Sequence, residues 1–307
     1  MASWRETRQW LEHAAVRGAL SLAGRIPLEA GQRIGAAIGC LGFDLVRARR
    51  DVSIENIMTS LGVSRGAATK IARAAYANSG RCLMEFAAFA HLTRAEVLDL
   101  VAVEGFENVE RVRAEGKGCI IVAAHLGHWE MIGAVMVAMG VPIHFLVGQQ
   151  TNARVDDVMN DLRRKQGIGI ITRSVALRKV LQALTERQFV AMLPDQDARK
   201  GGVMVDFLGR PASTVRGPAL FAIRRNCAIL PVFMSRTGSR HLMTVEEPLY
   251  PRPLENEDDV VRDLTQRYTD RITARVRMHP DEYFWPHRRW KTKAAQEAQP
   301  HSVAGIS

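Results

Sequence analysis

"IIVAAHLGHWEMIGAVMV", residues 120–137, decides the fold class of this 307-residue chain. An apolar, β-branched run ends at His125, passes through a glycine, and resumes from His128 with apolar residues at helical spacing. A short buried strand feeding a helix through a tight turn is the repeating unit of α/β proteins. Similar short apolar runs, bounded by Gly or Pro, recur at 118–125, 142–148, 167–171, 188–194, 202–209, 228–234 and 242–248. Helical segments fall between several of them, at 128–139, 152–166, 175–187 and 215–226, and a last helix spans about 257–278. The expected fold is therefore α/β, a mostly parallel central sheet flanked by helices.

Residues 1–100 have a different texture. Helix formers dominate, with breaks near Pro27, "TSLGVSRG" and "HLTRAE". The organisation expected is a helical N-terminal region over 1–100, an α/β domain over 101–292 and a flexible tail over 293–307. Within the helical region, residues 10–50 alternate apolar groups with Arg17, Arg25, Arg33, Arg47, Arg49 and Arg50. That pattern suits helices lying in a membrane interface with cations toward anionic headgroups, or equally a helical cap on a soluble domain.

Composition narrows the classes. With 47% hydrophobic and 24% charged residues the chain is globular rather than disordered. Forty-two Lys and Arg against 32 Asp and Glu give a formal charge of +10, which points to an anionic partner: nucleic acid, a membrane surface, or an acidic carrier or substrate. Four scattered cysteines, without a CxxC pair, suggest neither a zinc knuckle nor a disulfide framework. The longest apolar segment, "IGAAIGCLGF" at 34–43, is too short to span a bilayer.

His125 stands at the carboxyl end of a strand, where open α/β sheets bind ligands. Five residues on, Glu130 can accept from one ring nitrogen and leave the other free to take a proton. No serine or cysteine sits beside the pair, so the hydroxyl it activates belongs to a substrate, with His125 as general base. His128 reads as structural or as a pocket neighbour. Asp195 and Asp197 in "PDQD" follow the strand "FVAML" on the same sheet edge. They suit loop ordering and substrate positioning, or metal binding together with His125 or His128. Arg163, Arg164 and Arg173 flank "KQGIGIIT", where an arginine can bind phosphate or an oxyanion; Arg164 and Arg173 are the candidates carried forward.

The ordered blocks resemble the bacterial lipid A biosynthesis acyltransferases, within the wider lysophospholipid and glycerolipid acyltransferase superfamily with its His-x4-Asp/Glu signature. "HLGHWE" is similar to that family's His-x-Gly-x-Trp-Glu version, "RARRDVSIENI" to its early basic segment, and "LPDQDARKGGVMVDFLGRPAST" to its Asp-Gln-Asp loop and following stretch. "DEYFWPHRRWK" resembles its aromatic and basic C-terminal signature. The resemblance implies transfer of a fatty acyl group from an acyl carrier protein or coenzyme A thioester to a hydroxyl of a lipid acceptor, with no metal or other cofactor. It places the protein at the cytoplasmic face of the bacterial inner membrane, peripheral or monotopic.

Arg288 and Arg289, interleaved with Tyr283, Phe284, Trp285 and Trp290, suit a membrane interface or a phosphorylated headgroup. Nucleic acid is not expected, since aromatics make up 6% of the chain and are not spread along a basic groove. Two competing readings remain at this level: a metal-dependent hydrolase using His125, His128, Asp195 and Asp197, and a noncatalytic basic protein.

Overall fold

The computed structural model describes residues 4–293 except 90 and 150. The expected flexible tail therefore lies outside the described residues apart from residue 293. The helical region comprises α1 (Trp4–Ala23), α2 (Leu28–Leu41), a π-helical turn over Gly42–Val46, α3 (Arg50–Leu61), α4 (Arg65–Phe89) and α5 (Arg94–Leu100). The α/β part follows as β1 (Val101–Glu104), α6 (Glu107–Ala114), β2 (Cys119–Val122), α7 (Glu130–Ala138), β3 (Ile143–Val147), α8 (Ala153–Lys165), β4 (Gly169–Thr172), α9 (Ala176–Thr185) and β5 (Phe189–Met192). It continues through β6 (Val203–Phe207), β7 (Arg210–Thr214), α10 (Gly217–Arg225), β8 (Ile229–Thr237), β9 (Arg240–Val245) and α11 (Glu257–Met278).

Seven strands form one sheet in the order β1-β9-β8-β2-β5-β3-β4, parallel throughout except for the β8–β9 hairpin. Central strands β2 and β5 are buried at every residue, as expected when helices cover both faces. One face packs Ile120, Val122 and Val190 with α9, α10 and α11; the other packs Ile121, Phe189 and Ala191 with α7 and α5.

Two features depart from the sequence reading. The apolar run at 202–209 is not in the sheet: β6 pairs antiparallel with β7 as a separate ribbon against α11. The run has no crossover helix to carry it back to the sheet, so it pairs with the next segment instead. The short strand β1, which alternates buried and exposed residues, was not legible as a strand and closes the sheet edge beside β9.

The helical region is fused to the sheet through α2 and α4, which approach backbone to backbone. A Cβ on Gly35 would meet the Gly80 carbonyl oxygen at 2.3 Å, and one on Gly39 the Tyr76 carbonyl oxygen at 2.0 Å. Glycines four apart on α2 thus make a flat face that any side chain would spoil. An adjoining face of α2 and the π turn is apolar and exposed: Ile34, Ile38 and Leu41, then Leu45 and Val46 at 73% each; Leu83 of α4 is exposed too. Among the described residues no helix is long and apolar enough to cross a membrane.

Gly80→Val should lower the melting temperature sharply, because overpacking costs about 1–3 kcal/mol or more where backbone cannot move aside. Gly18→Ala on α1, where nothing lies within 4 Å of the new methyl, should be neutral or slightly stabilising. Thermal unfolding of the two variants side by side checks this; equal melting temperatures would contradict the close-approach account.

Candidate active site

β2 and β5 are neighbours in parallel register, with Val122 opposite Met192. His125 lies three residues beyond Val122 and Asp195 three beyond Met192, so the register carries both to the same point above the sheet edge. Chain connections part there: α7 leaves β2 over one face toward β3, and α10 leads to β8 over the other. This is a topological switch point, where the connections leave a crevice at the strand ends.

Asp195 is 3% exposed and holds His125 with both carboxylate oxygens. Oδ2 accepts from the backbone N–H of His125 at 3.0 Å, and Oδ1 lies 2.8 Å from ring Nδ1. Burial works to raise the Asp195 carboxyl, but His125 and Arg289 outweigh it and hold the group below the usual carboxylate range. An ionised Asp195 fixes the proton on Nδ1 and leaves the lone pair on Nε2. Burial alone would lower the His125 pKa, yet the charge and hydrogen bond of Asp195, with Glu130 adding to them, raise it above its ordinary value. Gln196 brings its side-chain nitrogen to 3.3 Å from Nε2, as a lone pair there requires a donor. Trp129 meets the imidazole edge-on at 5.1 Å.

The expected His125–Glu130 pairing is not the one formed. Glu130 opens α7, where the chain has already turned toward α8, and its carboxylate is gripped by Arg163 at 2.9 and 2.6 Å. Both are buried enough (12% exposed) for the fork to hold the start of α7 rigidly against α8. Glu130 thus bears on His125 through its field and through the placement of the turn. Arg163, not Arg164, is the inward arginine: Arg163 also reaches Asn160, whereas exposed Arg164 pairs with Asp161 on the outer face.

The turn itself is clasped by the C-terminal segment. Phe284 N–H donates to the His125 carbonyl, Gly127 N–H donates to the Glu282 carbonyl, and Leu126 bridges Tyr283. Gly127 has φ of +57°, and a Cβ there would strike the Met234 carbonyl oxygen at 2.0 Å. His128 points away from the crevice into a buried pocket with Glu85 and His241, and burial pushes its pKa down to about 3. It is a neutral structural residue. Among the described residues no group of three or more His, Cys, Asp or Glu side chains is placed to hold a metal ion.

Beside Gln196, whose amide meets His125 Nε2, opens a cavity of about 990 Å³. Leu146, Met192, Leu193, Pro194, Val215 and Phe221 give it an apolar floor; Arg49, Arg173, Arg199, Arg288 and Lys291 give it a cationic rim, and Gln196, Asp197 and His287 stand between. Arg173, Arg288 and Asp197 thus all line this cavity, and Asp197 also accepts from Thr292 at 3.0 Å. Arg289 does not. At 2% exposure it is sealed inside, donating to the Ser213 carbonyl and the Thr214 hydroxyl, and it stacks over Phe207. Its neighbour Arg288 is exposed and lines the cavity. Gln196 and His287 were not singled out from the sequence, and Arg163, named there beside Arg164 and Arg173, was not carried forward. The equal offsets of "AAH" and "LPD" from their strands signal Asp195, one residue before Gln196, and the three-residue spacing from buried Asn160 signals Arg163.

Residues 2–292 match the model of the bacterial lipid A biosynthesis acyltransferase family. The chain is 25% identical over 299 residues to the lipid A biosynthesis palmitoleoyltransferase of Escherichia coli, covering 95% of this chain and 94% of that protein. It is 26% identical over 204 residues to the phosphatidylinositol mannoside acyltransferase of Mycobacterium tuberculosis, a match spanning 65% of this chain and 63% of the relative's length. A solved 1-acyl-sn-glycerophosphate acyltransferase from Thermotoga maritima is 18% identical with a TM-score of 0.36, over 79% of this chain and 98% of that one, a likeness too loose to argue from. With the family model running through all of the ordered blocks, the chain belongs to the bacterial lipid A biosynthesis acyltransferase family.

Proposed function

We propose that the protein moves a fatty acyl chain from an acyl carrier protein or coenzyme A thioester to a hydroxyl of a lipid acceptor, with His125 as general base and Asp195 as its orienting carboxylate. The observation that carries this is an Asp-held imidazole whose Nε2 is met by Gln196, a residue that lines a cavity with an apolar floor and a cationic rim. His125 takes the proton of the acceptor hydroxyl as its oxygen attacks the thioester carbonyl. The C–O bond forms and the carbonyl pair moves to oxygen; on collapse the C–S bond breaks, and the imidazolium returns its proton to the leaving thiolate. Asp195 stabilises the imidazolium in between. The apolar floor suits the acyl chain, and Arg173 and Arg288 suit a phosphate of either substrate.

Attachment is peripheral, at the cytoplasmic face of the inner membrane in this reading. The exposed stripe of α2 and the π turn enters the bilayer interface, and Arg47 and Arg49 beside it meet anionic headgroups. Arg49 also lines the cavity, a few residues along the chain from Leu45 and Val46. An acceptor with its tails in the bilayer then reaches the base without leaving the membrane, while the positive field draws an acidic carrier protein.

Three variants test the chemistry in a thioester-consumption assay, with lipid mass spectrometry to detect one acyl chain gained. His125→Ala should abolish transfer in a folded protein. Asp195→Asn should lower kcat about 10²–10⁴-fold and move the acid limb of the pH profile to lower pH. The sign follows because the base works neutral, and the charge lost is what holds its pKa up. Glu130→Gln should be milder than either. Ordinary turnover by His125→Ala would sink the mechanism.

Leu45→Asp with Val46→Asp should weaken binding to phosphatidylglycerol-containing vesicles at least tenfold, since each buried aliphatic side chain is worth about 1.5–3 kcal/mol. High salt should weaken wild-type sedimentation without abolishing it. Unchanged sedimentation of the double variant would remove the stripe as the docking face.

A further inference from the structure

Gln196 is held at the base itself, and neither the family match nor the dyad assigns it a task. Because Asp195 fixes the His125 proton on Nδ1, the Gln196 amide must present its NH2 to Nε2, at 3.3 Å. The acceptor hydroxyl has to come within about 2.6–3.2 Å of that same nitrogen before it can be deprotonated. The amide therefore occupies, in this structure, the place at Nε2 that the acceptor hydroxyl must take.

Once displaced, its two N–H donors remain beside the forming C–O bond. The other cavity groups fit this task less well. Asp197 repels an oxyanion, and the arginines stand on the rim. Asp195, with Gln196 next to it in the chain, is fixed at two points by His125, so the amide is placed by a rigid neighbour.

We propose that Gln196 donates the hydrogen bond that stabilises the tetrahedral oxyanion of acyl transfer, after yielding its resting place on His125 to the acceptor hydroxyl. This rests on the dyad reading above. The electron pair displaced from the thioester C=O comes to rest on the oxygen facing the amide, and it returns when the C–S bond breaks and the thiolate takes the proton from His125. In the resting protein the same amide stabilises the neutral imidazole, since it bonds to the lone pair that protonation would consume. Of the charged groups around His125, Asp195 and Glu130 favour the imidazolium, and the nearby His287 is kept neutral chiefly by its own burial.

The test uses the full-length protein with palmitoyl coenzyme A and, in parallel, palmitoyl-loaded acyl carrier protein as donors, and vesicles of total lipid from cells lacking the protein as acceptor. Gln196→Ala should lower kcat about 10²–10³-fold, the usual cost of one oxyanion donor, with the donor KM within about threefold. Its acid limb should move to higher pH, and the His125 ring resonances in the substrate-free protein should titrate higher by NMR. Gln196→Met, which keeps the length and removes both donors, should behave alike if the alanine variant fails to fold. A kcat within threefold of wild type overturns the proposal, as does a loss carried by KM alone. A kcat loss with no change in the His125 titration also overturns it, because it marks a purely structural role. If wild type itself transfers no acyl chain to any lipid, the proposed function fails; an active wild type with indifferent Gln196 variants overturns the oxyanion role alone.

Discussion

The fork between Arg236 and Glu85 is the interaction on which the arrangement depends. Arg236 ends the sheet strand β8, and Glu85 lies in α4 of the helical layer; two hydrogen bonds of 2.7 Å join them at 11% and 3% exposure. Glu85 also accepts from Gln32 of α2 at 2.7 Å and lies 3.3 Å from His241 of β9. Burial would push its carboxyl up, but the donors around it hold it well below the usual range, so it stays ionised. A buried charge pair of this kind contributes less to stability than to uniqueness: with one partner missing, the other is stranded in low dielectric. The helical layer therefore has one seat on the sheet.

That seat reaches the active site through a chain of hydrogen bonds. The Arg236 backbone N–H donates to the Glu282 carboxylate, and Glu282 begins the segment that clasps residues 125–127. From the other side Cys82, one turn before Glu85, donates to the Gly127 carbonyl through its thiol. The turn bearing the base is thus fixed between the helical layer, the sheet and the C-terminal segment, with Asp195 as a fourth contact. Such enclosure is what holds an imidazole at a set angle for proton transfer without the substrate having to organise it.

The same construction explains the division of labour among the acidic residues. Two carboxylates are near His125, and they differ in partner. Asp195 faces the ring and tunes it; Glu130 is neutralised by Arg163 and acts on the turn. Charge on the outside follows a similar logic. The cations with inward partners, Arg163, Arg236 and Arg289, build the site, whereas Arg49, Arg173 and Arg288 remain on the cavity rim.

Periodicity in the sequence determined the α/β class, the helical first hundred residues and the strand end that carries His125, because burial on both faces of a parallel sheet demands unbroken apolar runs and helices demand a 3.6-residue repeat. Those signals are local, and so they located elements within a few residues. The partner of His125 was not local. Glu130 is five residues away in the chain and Asp195 seventy, yet it is the register of β2 against β5 that brings a side chain to Nδ1. For the same reason Arg163 and Arg164, or Arg288 and Arg289, are indistinguishable as adjacent letters. Only the packing of α8 against α7, and of the last segment against β7, decided which of each pair is enclosed and which meets solvent.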